Sequence, residues 1–182
     1  MHTQYKKVSE SAVTFSELML PSTSNFNGKV HGGYILSLMD QIAFACGSKH
    51  SGTYCVTASV DTVNFLNPIE VGELVTMKAC VNYVGNTSMV VGIRVDAENI
   101  QTGVVKHCNS SYFTMVARSE AGKSVPVPGL LLTSKNDVRR FTRSLQLKAL
   151  SKQHKAITKN FKFDIIEAVE QLKDERVKID LL

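Results

Sequence analysis

The run GGYILSLMDQIAFACGSK, residues 32–49, constrains this chain more than any other feature. It is apolar at Tyr34, Ile35, Leu36, Leu38, Met39, Ile42, Ala43, Phe44, Ala45 and Cys46. Its only polar stripe is Ser37, Asp40 and Gln41, at i, i+3 and i+4. The pattern predicts a helix from about Gly33 to Lys49, and a helix this apolar around its circumference has to be enclosed by protein. Asp40 is then a carboxylate on an enclosed helix. An unpaired buried charge costs several kcal/mol, and a chain that keeps one usually uses it.

The flanking segments supply the enclosure. SAVTFSELML at 11–20 reads as a first strand and PSTSNFNGK at 21–29 as a loop. YCVTASVDTVNFL at 54–66 is rich in Val and Thr. In 74–84 the odd positions Val75, Met77, Ala79, Val81 and Tyr83 are apolar, and in 89–98 Met89, Val91, Ile93, Val95 and Ala97 alternate with polar residues or glycine. Both are expected to be half-buried antiparallel strands. GNTS at 85–88 and NIQTG at 99–103 read as the hairpins, 104–117 as a last strand, and VPVPGL at 125–130 as the end of the sheet, since proline cannot donate to a ladder. One long helix covering one face of an antiparallel meander is an α+β domain. Helices are expected at 134–150, with Ser134 as N-cap and Asp137 as the acid at N3, and at 163–177.

Charge divides the chain in the same way. Residues 1–133 hold 9 Lys and Arg against 9 Asp and Glu, residues 134–162 hold 9 against 1, and residues 163–182 hold 3 against 6. The basic segment is where something anionic can meet the protein. A nucleic-acid partner for it is disfavoured, because Phe141 is its only aromatic residue before position 161. With no run of 18 apolar residues and no apolar N-terminal segment, neither a membrane span nor a secretory signal is expected, and the four cysteines read as reduced thiols.

The start of the helix is the second candidate for chemistry. Its first N–H groups have no intrahelical partner and the dipole end is positive, so Gly32 and Gly33 form a possible oxyanion site, the alternative being a plain tight turn. Asn25 reads as a residue that caps its loop or holds a water or carbonyl oxygen, and His31 as a shaper of the turn or a base. Seven residues separate Gly33 from Asp40, roughly 10 Å at 1.5 Å per residue. If both act on one atom, they come from two helices and so from two subunits. No metal-ligand spacing, P-loop or nucleophile elbow is present.

Asn25, Gly28, the Val30-His31-Gly32-Gly33 turn, the Met39-Asp40 pair, TASVDTVNF and VGNTSM together resemble the acyl-CoA thioesterases of the hotdog superfamily, closest to the YciA-type and brain-type acyl-CoA hydrolases. The resemblance implies a hotdog fold, a curved antiparallel sheet wrapped around one long central helix. It places that domain at residues 9–132, followed by a basic helical C-terminal extension at 133–182. It implies hydrolysis of fatty acyl-CoA to free fatty acid and CoA in the cytoplasm, with no metal and no cofactor beyond the CoA of the substrate. Asp40 would be general base or nucleophile, with Asn25 placing water or substrate. The amides after His31, at Gly32 and Gly33, would polarise the thioester carbonyl. Thr57, Ser59, Asn86, Thr87 and Ser88 would lie near CoA. The expected assembly is a homodimer with shared active sites, grouped as a trimer of dimers. A non-catalytic hotdog module that binds acyl-CoA or a nucleotide is the alternative.

Overall fold

A computed structural model of the chain describes residues 4–180, in two units, one up to Leu145 and one from Gln146. In the first unit β1 (Tyr5–Lys7), α1 (Val8–Ser11) and β2 (Val13–Leu18) precede α2 (Gly32–Ser51). Four strands follow, β3 (Tyr54–Val60), β4 (Glu73–Val84), β5 (Ser88–Asn99) and β6 (Val104–Arg118), and then β7 (Gly129–Leu131) and α3, which begins at Lys135. The main sheet has the order β2-β4-β5-β6-β3 and every pairing in it is antiparallel. β1 and β7 form a separate parallel pair, so the prolines of 125–130 end the main sheet but lead into a second small one.

The alternation in β4 and β5 does what its period requires. Val75, Met77, Ala79 and Val81 on β4, and Met89, Val91, Ile93, Val95 and Ala97 on β5, are buried. They meet Ile35, Leu38, Met39, Ile42, Ala43 and Cys46 of α2, along with Phe113 and Met115 of β6. Each fully buried side chain of this size contributes about 1.5–3 kcal/mol, so the helix–sheet contact is the main stabilising feature of the unit. It is close at Gly47, where an added Cβ would lie 3.4 Å from the Met115 Cβ. The helix stops at Gly52, whose φ of 74° accepts the left-handed cap.

Three β-bulges interrupt the alternation. Asn82 is the extra residue of β4 opposite β5, Cys108 that of β6 opposite β5, and Ala58 that of β3 opposite β6. The bulge at Asn82 carries Tyr83 from the expected core face to the outer face, where its ring lies 5.1 Å from that of Phe141 on α3. The buried hydroxyl of Ser11 donates to the Val8 carbonyl and accepts from Val81 N at 2.9 Å, pinning α1 beside the same bulge.

Boundaries shifted where tertiary contacts decide them. The strand expected over 54–66 ends at Val60, because the chain then leaves the sheet and brings Phe65 against Gly32 at the start of α2. The expected first strand begins only at Val13, since residues 8–11 form α1. Ser134 and Asp137 form the expected capping box: Ser134 N donates to Asp137 Oδ2 at 3.0 Å and Asp137 N donates to Ser134 Oγ at 3.1 Å.

In the second unit α3 continues to Lys159, nine residues beyond the expected end, because nothing in 151–159 breaks a helix. α4 (Ile165–Gln171) starts on Asp164, whose Oδ1 accepts from Ile166 N and Glu167 N. It is shorter than expected over 163–177. Ile165, Ile166 and Leu172 are exposed, so no packing extends so short a helix.

Candidate active site

α2 is not enclosed in the single chain. Gly33, Ser37, Asp40, Gln41, Phe44 and Ala45 make an exposed stripe opposite its buried face. One sheet covers one side of a helix that is apolar on both, so the expectation of a buried carboxylate is corrected: Asp40 is exposed.

Asp40 does have a partner. Thr57 Oγ1 donates to Asp40 Oδ1 at 2.5 Å across the space between α2 and β3. Thr57 has one hydroxyl proton, so its 3.4 Å approach to Met115 Sδ is a contact beside that bond. Asp40 Oδ2 has no protein partner among the described residues, which leaves one carboxylate oxygen to accept a proton. The pair opens on a cavity of about 530 Å³ whose other walls are Gln41, Phe44, Tyr54, Cys55, Val56 and Met115. Phe44 and Tyr54 stand at its mouth with ring centroids 5.5 Å apart and are 40% and 62% exposed. The cavity therefore joins a fixed carboxylate to an apolar wall.

The β3 bulge sets which groups share this cavity. Thr57 pairs with Met115, which faces α2, whereas Ser59 pairs with Thr114 after the bulge. Thr57 and Ser59, both expected near CoA, thus lie on opposite faces of the sheet. Asn86, Thr87 and Ser88 sit in the β4–β5 hairpin and do not line the cavity. There the Asn86 and Thr87 carbonyls accept from Val127 N and Ala117 N.

The helix start is a second cluster. His31 is the N-cap, and its Nδ1 accepts from Gly33 N at 3.2 Å. The turn-shaping reading of His31 holds, and the Gly33 amide is already bonded in the single chain. The Gly32 amide has no acceptor among the described residues. Asn25 caps its loop: Oδ1 accepts from Asn27 N at 3.0 Å and Lys29 N at 3.1 Å. With Oδ1 held, the Nδ2 donors have no acceptor among the described residues, and Asn25 is exposed. Asn25, His31, Gly32 and Gly33 stay together, because Ser24 bridges Val30 and His31 N donates to Thr23 O. They do not reach Asp40, which lies along the helix from them by roughly 10 Å.

The remaining reactive groups serve the fold. Burial pushes the Cys46 thiol up to about 12, so it is no thiolate nucleophile. His50 is buried with Nε2 at 3.0 Å from the Pro128 carbonyl, and burial lowers its pKa. Among the described residues no helix is long and apolar enough to cross a membrane, and no cluster of three His, Cys, Asp or Glu could hold a metal ion. Sequence reasoning missed Phe44, Tyr54 and Met115 as cavity walls. Phe44 was legible as the next turn of the Asp40 stripe, but Tyr54 and Met115 meet it only through strand pairing.

Residues 27–104 match the model of the thioesterase superfamily. The chain is 45% identical over 135 residues to Protein VdlD of Helicobacter pylori, covering 74% of this chain and 77% of that protein. It is 32% identical over 137 residues to an uncharacterized acyl-CoA thioester hydrolase, YkhA, of Bacillus subtilis, covering 75% and 80%. An apo-hexameric acyl-CoA thioesterase superposes with a TM-score of 0.82 at 33% identity, covering 85% of this chain and 99% of that one. An acyl-CoA hydrolase of Staphylococcus aureus in complex with butyryl coenzyme A and coenzyme A superposes at 0.79 with 28% identity, covering 92% and 98%. Variants of the same hydrolase carry alanine for an asparagine, an aspartate or a threonine. Backbone superposition and sequence agree with these relatives along most of the chain, and it belongs to the hotdog-fold thioesterase superfamily.

Proposed function

We propose that this chain hydrolyses acyl-CoA thioesters to a carboxylic acid and CoA, with Asp40 as the group that delivers water or attacks the carbonyl. The observation that carries the reading is the Asp40–Thr57 pair, which leaves one carboxylate oxygen open at the mouth of an apolar cavity. The Staphylococcus aureus variants support it. Their altered asparagine, aspartate and threonine lie 15 and 17 positions apart, the intervals that separate Asn25, Asp40 and Thr57 here.

The acyl chain lies along Phe44, Tyr54 and Met115. Thr57 fixes Oδ1 of Asp40, and Oδ2 takes a proton from water as the water oxygen bonds to the carbonyl carbon. Charge builds on the carbonyl oxygen, where the Gly32 amide and the unpaired Nδ2 of Asn25 are the available donors. The C–S bond then breaks and CoA thiolate leaves. Direct attack by Oδ2, giving an anhydride that water opens, uses the same geometry.

The donors and Asp40 lie too far apart in one chain, so a second copy supplies the helix start. The exposed α2 stripe and β3, which among the described residues pairs only with β6, form the face that copy covers. Fully exposed Phe26, together with Phe65 and Leu66, adds apolar surface beside the helix start. Dimers of this kind group into the expected trimer of dimers, in the cytoplasm.

The test is turnover of acyl-CoA by Asp40→Asn, which keeps the size and the Thr57 contact. A loss of at least about 100-fold in kcat is expected. A folded variant with near-wild-type turnover would remove Asp40 from the mechanism.

A further inference from the structure

We propose that the outer face of the sheet carries a second binding site, for a small anion bearing two or more phosphates. Its frame is a groove of about 880 Å³ between the sheet and α3, within the size range of small-ligand sites. Lys78 and Arg94 enter it from β4 and β5, and Arg139, Arg140 and Arg143 from α3. Arg94 is paired with Asp96. The other four have no carboxylate within ion-pair distance among the described residues. Among the described residues Asp137 is the one carboxylate lining the groove, and its Oδ2 already accepts from Thr133 N and Ser134 N. The groove therefore carries positive charge that the chain itself does not neutralise.

Two arginines are held in place before any ligand arrives. Arg140 Nη1 lies 3.3 Å from Cys80 Sγ, and the Arg143 guanidinium sits 5.6 Å from the centre of the Tyr112 ring. Each contact fixes a planar fork and leaves donor edges free, the geometry that phosphate oxygens fit.

The groove also contains a side-chain donor without a use in the fold. Asn82 lines it yet is only 5% exposed. Its Oδ1 accepts from the Cys80 thiol at 3.3 Å, while Nδ2 has no acceptor among the described residues. Asn82 is the extra residue of the β4 bulge, and bulges re-aim side chains. It lies across Gly92 so closely that a Cβ there would be 2.1 Å from Nδ2. A largely buried side chain that needs both a bulge and a glycine to lie there, with no acceptor for its N–H groups among the described residues, points to a ligand oxygen.

Strand alternation separates this site from the Asp40 cavity. Lys78 and Arg94 alternate with Met77, Ala79, Ile93 and Val95, which face α2. A ligand in the groove is thus across the sheet from Asp40, and the inference stands independently of thioester hydrolysis.

The test is calorimetric titration of the full chain at low salt with pyrophosphate, ADP and adenosine 3′,5′-bisphosphate. Saturable binding of one anion per chain, weakened by added salt, is expected. Preference for the 3′,5′-bisphosphate identifies the nucleotide end of CoA as the source, and preference for ADP a free nucleotide. Equal binding of pyrophosphate reduces recognition to the phosphates. The exposed double variant Lys78→Gln with Arg143→Gln is expected to bind at least about ten-fold more weakly, and Asp40→Asn to bind as the wild type does. Three outcomes each overturn the proposal: no binding of any of the three, undiminished affinity in the folded double variant, or loss of binding in Asp40→Asn.

Discussion

Mixing two inactive variants tests whether one active site needs two chains. Two groups acting on one thioester carbonyl sit within about 7 Å of each other, two contacts near 3 Å plus the C=O bond. Along α2, Gly33 and Asp40 are about 10 Å apart, and His31 holds the Gly33 amide besides. Asn25 belongs to the helix-start cluster, Asp40 to the Thr57 cavity. Asn25→Ala and Asp40→Asn should each be nearly inactive alone. In a two-fold dimer of one chain of each kind, one site collects both substitutions and the other collects neither. Random mixing makes about half the dimers mixed, each with one intact site of two, so about a quarter of wild-type kcat should return. Co-expression with two tags, purification through both and an acyl-CoA turnover assay give the number directly; in a randomly assembled trimer of dimers about half the constituent dimers are still mixed, so it stays at about a quarter of wild type. If mixed dimers form and stay as inactive as the single variants, the site lies within one chain and the distance argument is wrong.

Thr57→Val removes the hydroxyl that holds Asp40 Oδ1; kcat should fall about ten-fold or more with KM little changed, read by steady-state kinetics. Gly47→Ala should leave Tm unchanged or raised, whereas Gly47→Leu should cost about 1–3 kcal/mol in denaturant unfolding, because nothing larger than a Cβ fits against Met115. Burial depresses the His50 pKa below its ordinary 6.5, so the unfolded chain takes up the proton first; stability is full above pH 6.5 and falls as pH drops from there toward the folded value. A folded His50→Asn variant should show a shallower acid-side loss of Tm than the wild type.

The sequence made the elements legible where one periodicity runs unbroken. β5 alternates from Met89 to Ala97 and every apolar residue in that set is buried. It misled where a bulge intervenes, because one extra residue turns everything beyond it to the other face. Tyr83 was expected inside and meets Phe141 outside; Ser59, expected near CoA as Thr57 was, lies across the sheet from Thr57. The bulge at Cys108 brings His107 to the outer face, where Nδ1 meets Asp96 Oδ1 at 3.0 Å. Nothing in the local composition marks Ala58, Asn82 or Cys108 as the extra residue, since register is settled by strands distant in sequence. Asp40 was legible as an unusual residue, and Thr57 as a residue of interest, but the bond between them depends on how α2 packs on β3.

The exposure of Asp40 also changes the energetic reading of the helix. A carboxylate left in water costs nothing to hold in the single chain, so the several kcal/mol assigned to its burial are not a term in folding one copy. On the proposed reading that cost appears when a second copy covers the stripe from Gly33 to Ala45 and water leaves the cavity. Thr57 then matters twice. It donates to the charged form, which offsets part of the desolvation, and it occupies only one of the two oxygens, which keeps the other available for a proton. The apolar residues beside Asp40, Phe44 and Ala45 among them, supply the opposing gain at about 25 cal/mol per Å² of apolar surface covered. On that reading assembly and catalysis are coupled through the same few turns of α2. Phe44→Lys should weaken the dimer, seen by ultracentrifugation at decreasing concentration, and lower activity in parallel with the dimer fraction. Full activity in a sample that remains monomeric would break that coupling.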